Sequence, residues 1–260
     1  MINVGVGQAD FKVGHSGTNL EIIQTLLDEA AQKQVDVLVL PELANSGYAF
    51  ASMDEAAALA EEVPTGPVCR ALQAWSQPGR MVVSGLCQKS GPVLYNSAVA
   101  FSGGELLAVY HKIHLFSNES KWFQPGQQPA PVLPFRQYLV GIMVCFDWVF
   151  PEMARSLALR GAQIILHPAN LVLPFCQQAM ITRSIENRVF TATANRCGQE
   201  RELYFSGLSQ ITAPNGSLLV QADEENSGVF CADIDPDAAE NKWITALNHV
   251  LNDRRPDLYI

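Results

Sequence analysis

The chain predicts an α/β fold, with one mixed sheet or two sheets lying between helical layers. Three observations carry this. Short β-branched runs alternate with stretches of helical periodicity. Glycine-marked hairpins interrupt that alternation, so the sheets cannot be purely parallel. The 260 residues are 48% apolar, enough for a sizeable core. No linker, repeat or charge block divides the chain, so residues 1–260 read as a single domain.

Ile2 to Gln8 alternates apolar and small residues and reads as a strand. Thr18 is placed to cap a helix in which Leu20, Ile23, Leu26, Leu27 and Ala30 recur at helical spacing, as far as Lys33. Val35 to Leu40 fits a strand buried on both faces, and it stops at Pro41-Glu42. Met53 to Glu62 and Gly66 to Trp75 read as helices, and Met81 to Gln88 as a strand. Tyr95 to Phe101 and Leu106 to His111 form a hairpin about Gly103-Gly104. Lys112 to Pro131 is loop-like. Tyr138 to Val144 is a strand ending at Cys145, and a helix starts at Pro151, where proline suits the first turn. Ala162 to Leu166 is a strand, Phe175 to Asn187 a helix, and Val189 to Asn195 a strand. Tyr204 to Ile211 and Leu218 to Gln221 make a second hairpin about Pro214-Asn215-Gly216. Val229 to Ile234 is the last strand and Pro236 to Trp243 the last helix.

Composition narrows the function. Lys plus Arg is 17 and Asp plus Glu is 26, a net charge of −9 that disfavours a nucleic-acid partner. No segment is apolar for the roughly 20 residues a membrane span needs. The N-terminus lacks a basic region before an apolar run, so a cytoplasmic location is expected. The six cysteines are scattered, with no C-x-x-C pair, which supports neither a zinc knuckle nor a disulfide framework.

Three strand-to-loop junctions carry chemistry. Glu42 directly follows a buried strand, where partial desolvation raises a carboxyl toward the range of a general base. The same position also fits a solvated loop glutamate. Lys112 follows another strand and can offer positive charge to an oxyanion, or simply lie on the surface. His111 and His114 have ligand-like spacing, but no third ligand follows them. Cys145 sits between a strand end and a helix start, where helix amides lower a thiol pKa. A buried structural cysteine fits there too.

Together and in this order, Leu40-Pro41-Glu42, Lys112-Ile113-His114-Leu115-Phe116 with Glu119, and Cys145-Phe146-Asp147 with Phe150-Pro151-Glu152 resemble the nitrilase superfamily of carbon–nitrogen hydrolases. Gly85, Tyr95-Asn96-Ser97, Pro125-Gly126, His167-Pro168-Ala169-Asn170, Arg183-x-x-Glu186-Asn187 and Arg254-Arg255-Pro256-Asp257 extend the resemblance over the whole chain. It implies an αββα sandwich in which Glu42, Lys112 and Cys145 converge. In that pattern Glu42 is the general base and Cys145 the nucleophile. Lys112 and the Phe146 backbone N–H stabilise the oxyanion, and Glu119 orients Lys112 or aids the hydrolytic water. No metal or organic cofactor is implied.

Cys145-Phe146-Asp147 looks like the amidase and carbamoylase branches rather than the Cys-Trp-Glu of true nitrilases. Trp148-Val149-Phe150 lacks the arginines with which some carbamoylases clamp a carboxylate. Tyr48, Trp122, Trp148, Asn170, Leu171 and Phe175 are the candidate pocket walls, suited to a small, largely uncharged substrate. Arg183, Glu186 and Asn187 read as a structural ion pair and cap. The leading expectation is hydrolysis of a small aliphatic amide. The alternatives are a nitrilase using the same residues, and a catalytically silent binding subunit. The resemblance further implies a homo-oligomer, with the tail at about 245–260 in its interface.

Overall fold

The computed structural model describes residues 1–259, so Ile260, the last residue of the expected interface tail, lies outside the described residues. The first half runs β1 (Ile2–Gln8), α1 (Ser16–Gln32), β2 (Val37–Val39), α2 (Met53–Leu59), β3 (Glu61–Glu62), α3 (Pro67–Trp75), β4 (Met81–Ser90), β5 (Val93–Ser102) and β6 (Glu105–His111). The second half runs β7 (Val132–Phe135), β8 (Tyr138–Ile142), α4 (Pro151–Leu159), β9 (Ile164–Ala169), α5 (Cys176–Asn187), β10 (Phe190–Asn195), β11 (Cys197–Glu200), β12 (Leu203–Ser206), β13 (Gln210–Thr212), β14 (Leu218–Gln221) and β15 (Gly228–Ile234).

Two mixed sheets result. One has the order β15-β1-β2-β4-β5-β6, with β3 alongside β4. The other has the order β14-β13-β10-β9-β8-β7. In each, the central pairs are parallel (β1/β2 and β2/β4; β8/β9 and β9/β10) and the outer pairs antiparallel. The sheets meet face to face through Val4, Val6, Val37, Val39 and Val83 on one side and Val140, Ile142 and Leu166 on the other. Helices α1 and α3 cover the outer face of the first sheet, burying Ile23, Leu26, Leu27, Leu72 and Trp75 against Leu38, Val82 and Phe101. Helices α4 and α5 cover the second. This is the αββα arrangement. Residues Val37–Val39 are buried on both faces, which explains their unbroken apolar run.

Several expected elements differ. The helix from Met53 ends at Leu59, because Glu61-Glu62 turns to pair in parallel with β4 at Gln88 and Lys89. Ser52, not predicted as a cap, starts that helix by accepting the Glu55 amide at 3.1 Å. Helix α1 begins at Ser16, ahead of Thr18, and Asn19 instead bonds the Lys12 backbone. The expected strand from Tyr204 to Ile211 is split, and its first part pairs with β11, which went unpredicted. The last expected helix shrinks to a single turn of 3-10 helix, Pro236–Ala239. Within the loop after Lys112, Ser117–Lys121 forms another such turn. No helix among the described residues is long and apolar enough to cross a membrane.

Candidate active site

Each of the three strand ends places one polar side chain in the same buried region. Beyond β2 the chain keeps pairing with β4, as the Leu40 amide bonds the Val83 carbonyl and the Gly85 amide the Pro41 carbonyl. Gly85 lies against the Glu42 backbone so closely that a methyl there would overlap the Glu42 Cα. Leu43 turns the chain with φ of 48°, and Glu42 is left 1% exposed. Lys112 likewise continues β6, its amide bonding the Asn96 carbonyl at 2.8 Å.

Cys145 adopts φ of 40°, in the left-handed region that favours glycine. The strain, about 1–3 kcal/mol for such a residue, is held by its neighbours. Asp147 Oδ2 accepts the Val144 amide at 2.8 Å and the Tyr110 hydroxyl at 2.9 Å, while Oδ1 lies 2.8 Å from His114 Nδ1. His167 Nε2 lies 2.9 Å from the Cys145 carbonyl. Burial lowers the His167 pKa to about 4, so the ring is neutral, donates from Nε2 and accepts from Thr193 at Nδ1. Arg183 donates to the Trp148 carbonyl and pairs with Glu186 at 3.1 Å, so this expected structural pair also steadies the loop after Cys145.

Lys112 is the hub of the site. Its Nζ lies 2.8 Å from Glu42 Oε1 and 2.9 and 2.8 Å from the two oxygens of Glu119, all with the cation fully buried. Asn96 Nδ2 donates to Glu42 Oε1 at 2.7 Å and reaches Glu119 Oε2 at 3.4 Å. Tyr48 donates to Glu119 Oε1 at 2.8 Å. Glu42 Oε2 is buried with no hydrogen-bond partner among the described residues. Burial works against the Lys112 charge, but Glu119 and Glu42 outweigh it and hold the proton on. Burial raises the Glu42 carboxyl; Lys112 opposes that rise and Glu119 adds to it.

Burial also pushes the Cys145 thiol well up, with Glu42 adding and Lys112 opposing. Helix amides, expected to lower it, lie further off, since α4 begins only at Pro151. Cys145 opens a short 3-10 turn, Cys145–Val149, and its Sγ points to the Asn170 carbonyl at 3.8 Å. A thiol pushed up in this way needs a base to take its proton.

Two spaces flank this cluster. A small one touches Cys145, Phe146, Trp148, Asn170 and Leu171. A larger one of about 270 Å³ is walled by Tyr48, Phe50, Glu119 and Trp122. The candidate pocket residues thus fall into two groups, and Asn170 also donates to the Glu42 carbonyl at 2.8 Å. Phe175 lines neither space; it is 60% exposed at the start of α5. His111 stacks on Tyr95 and meets Gln88, away from His114, and among the described residues no three His, Cys, Asp or Glu side chains gather as a ligand set.

Sequence reasoning missed Glu200, which is buried and accepts the amides of Val13, Tyr48 and Ala49 at 2.5, 2.9 and 2.6 Å. Fully buried Arg196 supports it at 2.9 Å. This pair fixes the backbone of Tyr48. Its only sequence signal is two opposite charges beside an apolar strand.

The model of the carbon–nitrogen hydrolase family matches residues 3–242. A protein named nitrilase from Pyrococcus abyssi is 40% identical over 260 residues, covering 100% of this chain and 99% of its own. A 2-oxoglutaramate amidase from Bacillus subtilis is 30% identical, covering 97% of each chain. Among solved structures, the NitN amidase of Nesterenkonia sp. AN1 superposes with a TM-score of 0.82 at 28% identity, covering 99% of this chain and 98% of that one. Cys145 stands at the position of that amidase's catalytic cysteine. A glutamate-to-glutamine variant of the same amidase carries acrylamide added at the active-site cysteine.

Proposed function

The chain belongs to the carbon–nitrogen hydrolase family, and on that premise we propose that it hydrolyses a small aliphatic amide through a thioester on Cys145. The observation that carries this reading is the Lys112 ammonium held between Glu42 and Glu119 beside a strained cysteine. An amide is a poor electrophile and needs a thiolate and an oxyanion site at once. Glu42 takes the Sγ proton, and its unpartnered Oε2 is free to do so. Sγ then attacks the carbonyl carbon, and the oxyanion is met by Lys112 Nζ and the Phe146 backbone N–H. Collapse breaks the C–N bond, and Glu42 returns its proton to the departing nitrogen, giving ammonia and the thioester. Water attacks the thioester with Glu42 again as base, releasing the acid and restoring the thiol. Glu119, through Lys112 and Tyr48, positions the ammonium. Tyr48, Trp122, Trp148 and Asn170 shape the space around the acyl chain.

A second reading has specific support. The 40% identical relative is named a nitrilase. A nitrile would pass through a thioimidate, which adds water and then expels ammonia to reach the same thioester. Ammonia release from matched amides, N-carbamoyl amines and nitriles separates the two, with Cys145→Ala as control. Amides as the best class support the proposal, and nitriles as the best class overturn it in favour of the second reading.

We also propose that residues 1–260 act as one hydrolase domain and that the protein is a homo-oligomer using its tail. Trp243, Ile244, Leu247, Leu258 and Tyr259 leave large apolar surfaces exposed there, Leu247 at 85%.

A further inference from the structure

The two spaces beside the cluster meet at Phe116 and Val172, which line both. Phe116 and Val172 thus stand between Cys145 and the larger space, which is the neighbouring room for the far end of a chain whose amide carbon lies at Cys145. The outer wall of that space is the turn between β11 and β12, where Arg201 and Glu202 line it. Glu200, anchored on Arg196 and on the amides of Tyr48 and Ala49, fixes where this turn begins.

The charges at this rim are not balanced. Among the described residues, Arg201 is the one cation lining the larger space. It is already engaged, with Nη2 2.7 Å from Glu55 Oε1 and Nη1 on the Ala49 carbonyl. Glu202 has no ion-pair partner among the described residues. Lys121, on the turn that carries Glu119, does not line the space. One carboxylate is thus left uncompensated where the far end of a substrate would lie, in a protein whose net charge of −9 offers no opposing field.

We propose that this rim selects amides by the charge of their distal end, favouring ω-amino amides over neutral chains and rejecting ω-carboxy amides; this rests on the amidase reading of Cys145. An arginine alone would suggest a carboxylate partner. Here the guanidinium is paired to Glu55, and the free charge has the opposite sign. At a solvated rim, one unit charge at about 5 Å changes binding by about fivefold. Ions at about 1 M shorten the screening length to about 3 Å and remove most of the effect.

The test uses valeramide, its ω-amino derivative and glutaramate, three chains of similar length. Two readouts are compared at low salt: ammonia release, and protection of Cys145 against alkylation by each compound. Protection reports binding without turnover. The expected order in both is ω-amino, neutral, ω-carboxy, with about fivefold steps that collapse at high salt. Glu202→Gln is expected to bring the ω-amino to neutral ratio close to one. Glu55→Gln frees the Arg201 charge while keeping a side-chain acceptor for the Ala51 amide, and it is expected to improve glutaramate about fivefold. Equal protection by the three compounds, or ratios unmoved by Glu202→Gln, would overturn the proposal. Protection in the expected order without ammonia release would instead overturn the amidase reading and leave the charge selection standing.

Discussion

Replacing Glu119 by Gln tests the electrostatic unit at the centre of the site. The substitution keeps the shape and removes one negative charge. Glu42 and Glu119 both lie 2.8 Å from the same Lys112 nitrogen and share the Asn96 amide. Two carboxylates on one ammonium are about 5 Å apart. At an effective dielectric of about 20 they repel by about 3 kcal/mol before the buried groups relax. The sign follows from Glu42. Glu119 helps to raise the Glu42 carboxyl, so removing its charge lets Glu42 ionise at lower pH. A base must be ionised to act, and the acid limb of kcat/KM reports that ionisation for the coupled group. The limb is therefore expected to move to lower pH. At its plateau kcat falls about 10- to 100-fold, because Lys112 loses a charge-assisted bond worth about 1.5–3 kcal/mol. The assay is ammonia release between pH 4 and 9 at saturating and limiting amide. An acid limb that stays in place or moves upward would refute the coupling.

Other outcomes follow from the same geometry. Glu42→Gln is expected to abolish turnover while lowering the pH midpoint of Cys145 alkylation, since Glu42 helps to push that thiol up; iodoacetamide rates against pH read this. Gly85→Ala is expected to cost at least about tenfold in kcat, because the new methyl displaces the Glu42 backbone; kinetics beside a thermal melt separate activity from folding. Tyr110→Phe strips Asp147 of one buried donor and is expected to cost about 1–3 kcal/mol of stability, measured by urea unfolding. Light scattering at micromolar concentration is expected to show an assembly larger than a monomer. Truncation before Leu247 is expected to shift it toward monomer.

The sequence made some of this site legible and left the rest dark for physical reasons. Glu42 and Cys145 each follow a buried strand, where a change from an apolar run is visible in one dimension, while Lys112 follows the half-exposed β6 and is marked by its motif instead. The layered α/β fold was legible for the same reason, because period-two and helical periodicities survive in the composition of each face. The partners that tune the site are another matter. Asn96 meets Glu42 across 54 residues and Asn170 reaches it across 128. Such contacts leave no local spacing. Asn96 and His167 stand within recognisable motifs, yet only the folded chain shows that one bonds Glu42 and the other the Cys145 carbonyl. The direction in which the Cys145 thiol is pushed was not legible, because burial is set by the whole fold and is the largest influence on it. The short β3 and β11 escaped because each is defined by its pairing rather than by its own residues.

The most direct test of the account is a rapid acid quench of the protein during turnover of a small amide, followed by peptide mass mapping. An acyl group, with the mass of the amide's acid portion, is expected on the peptide containing Cys145. None is expected in Cys145→Ala. Ammonia release with no acyl group on that peptide, or with one on another residue, would contradict it.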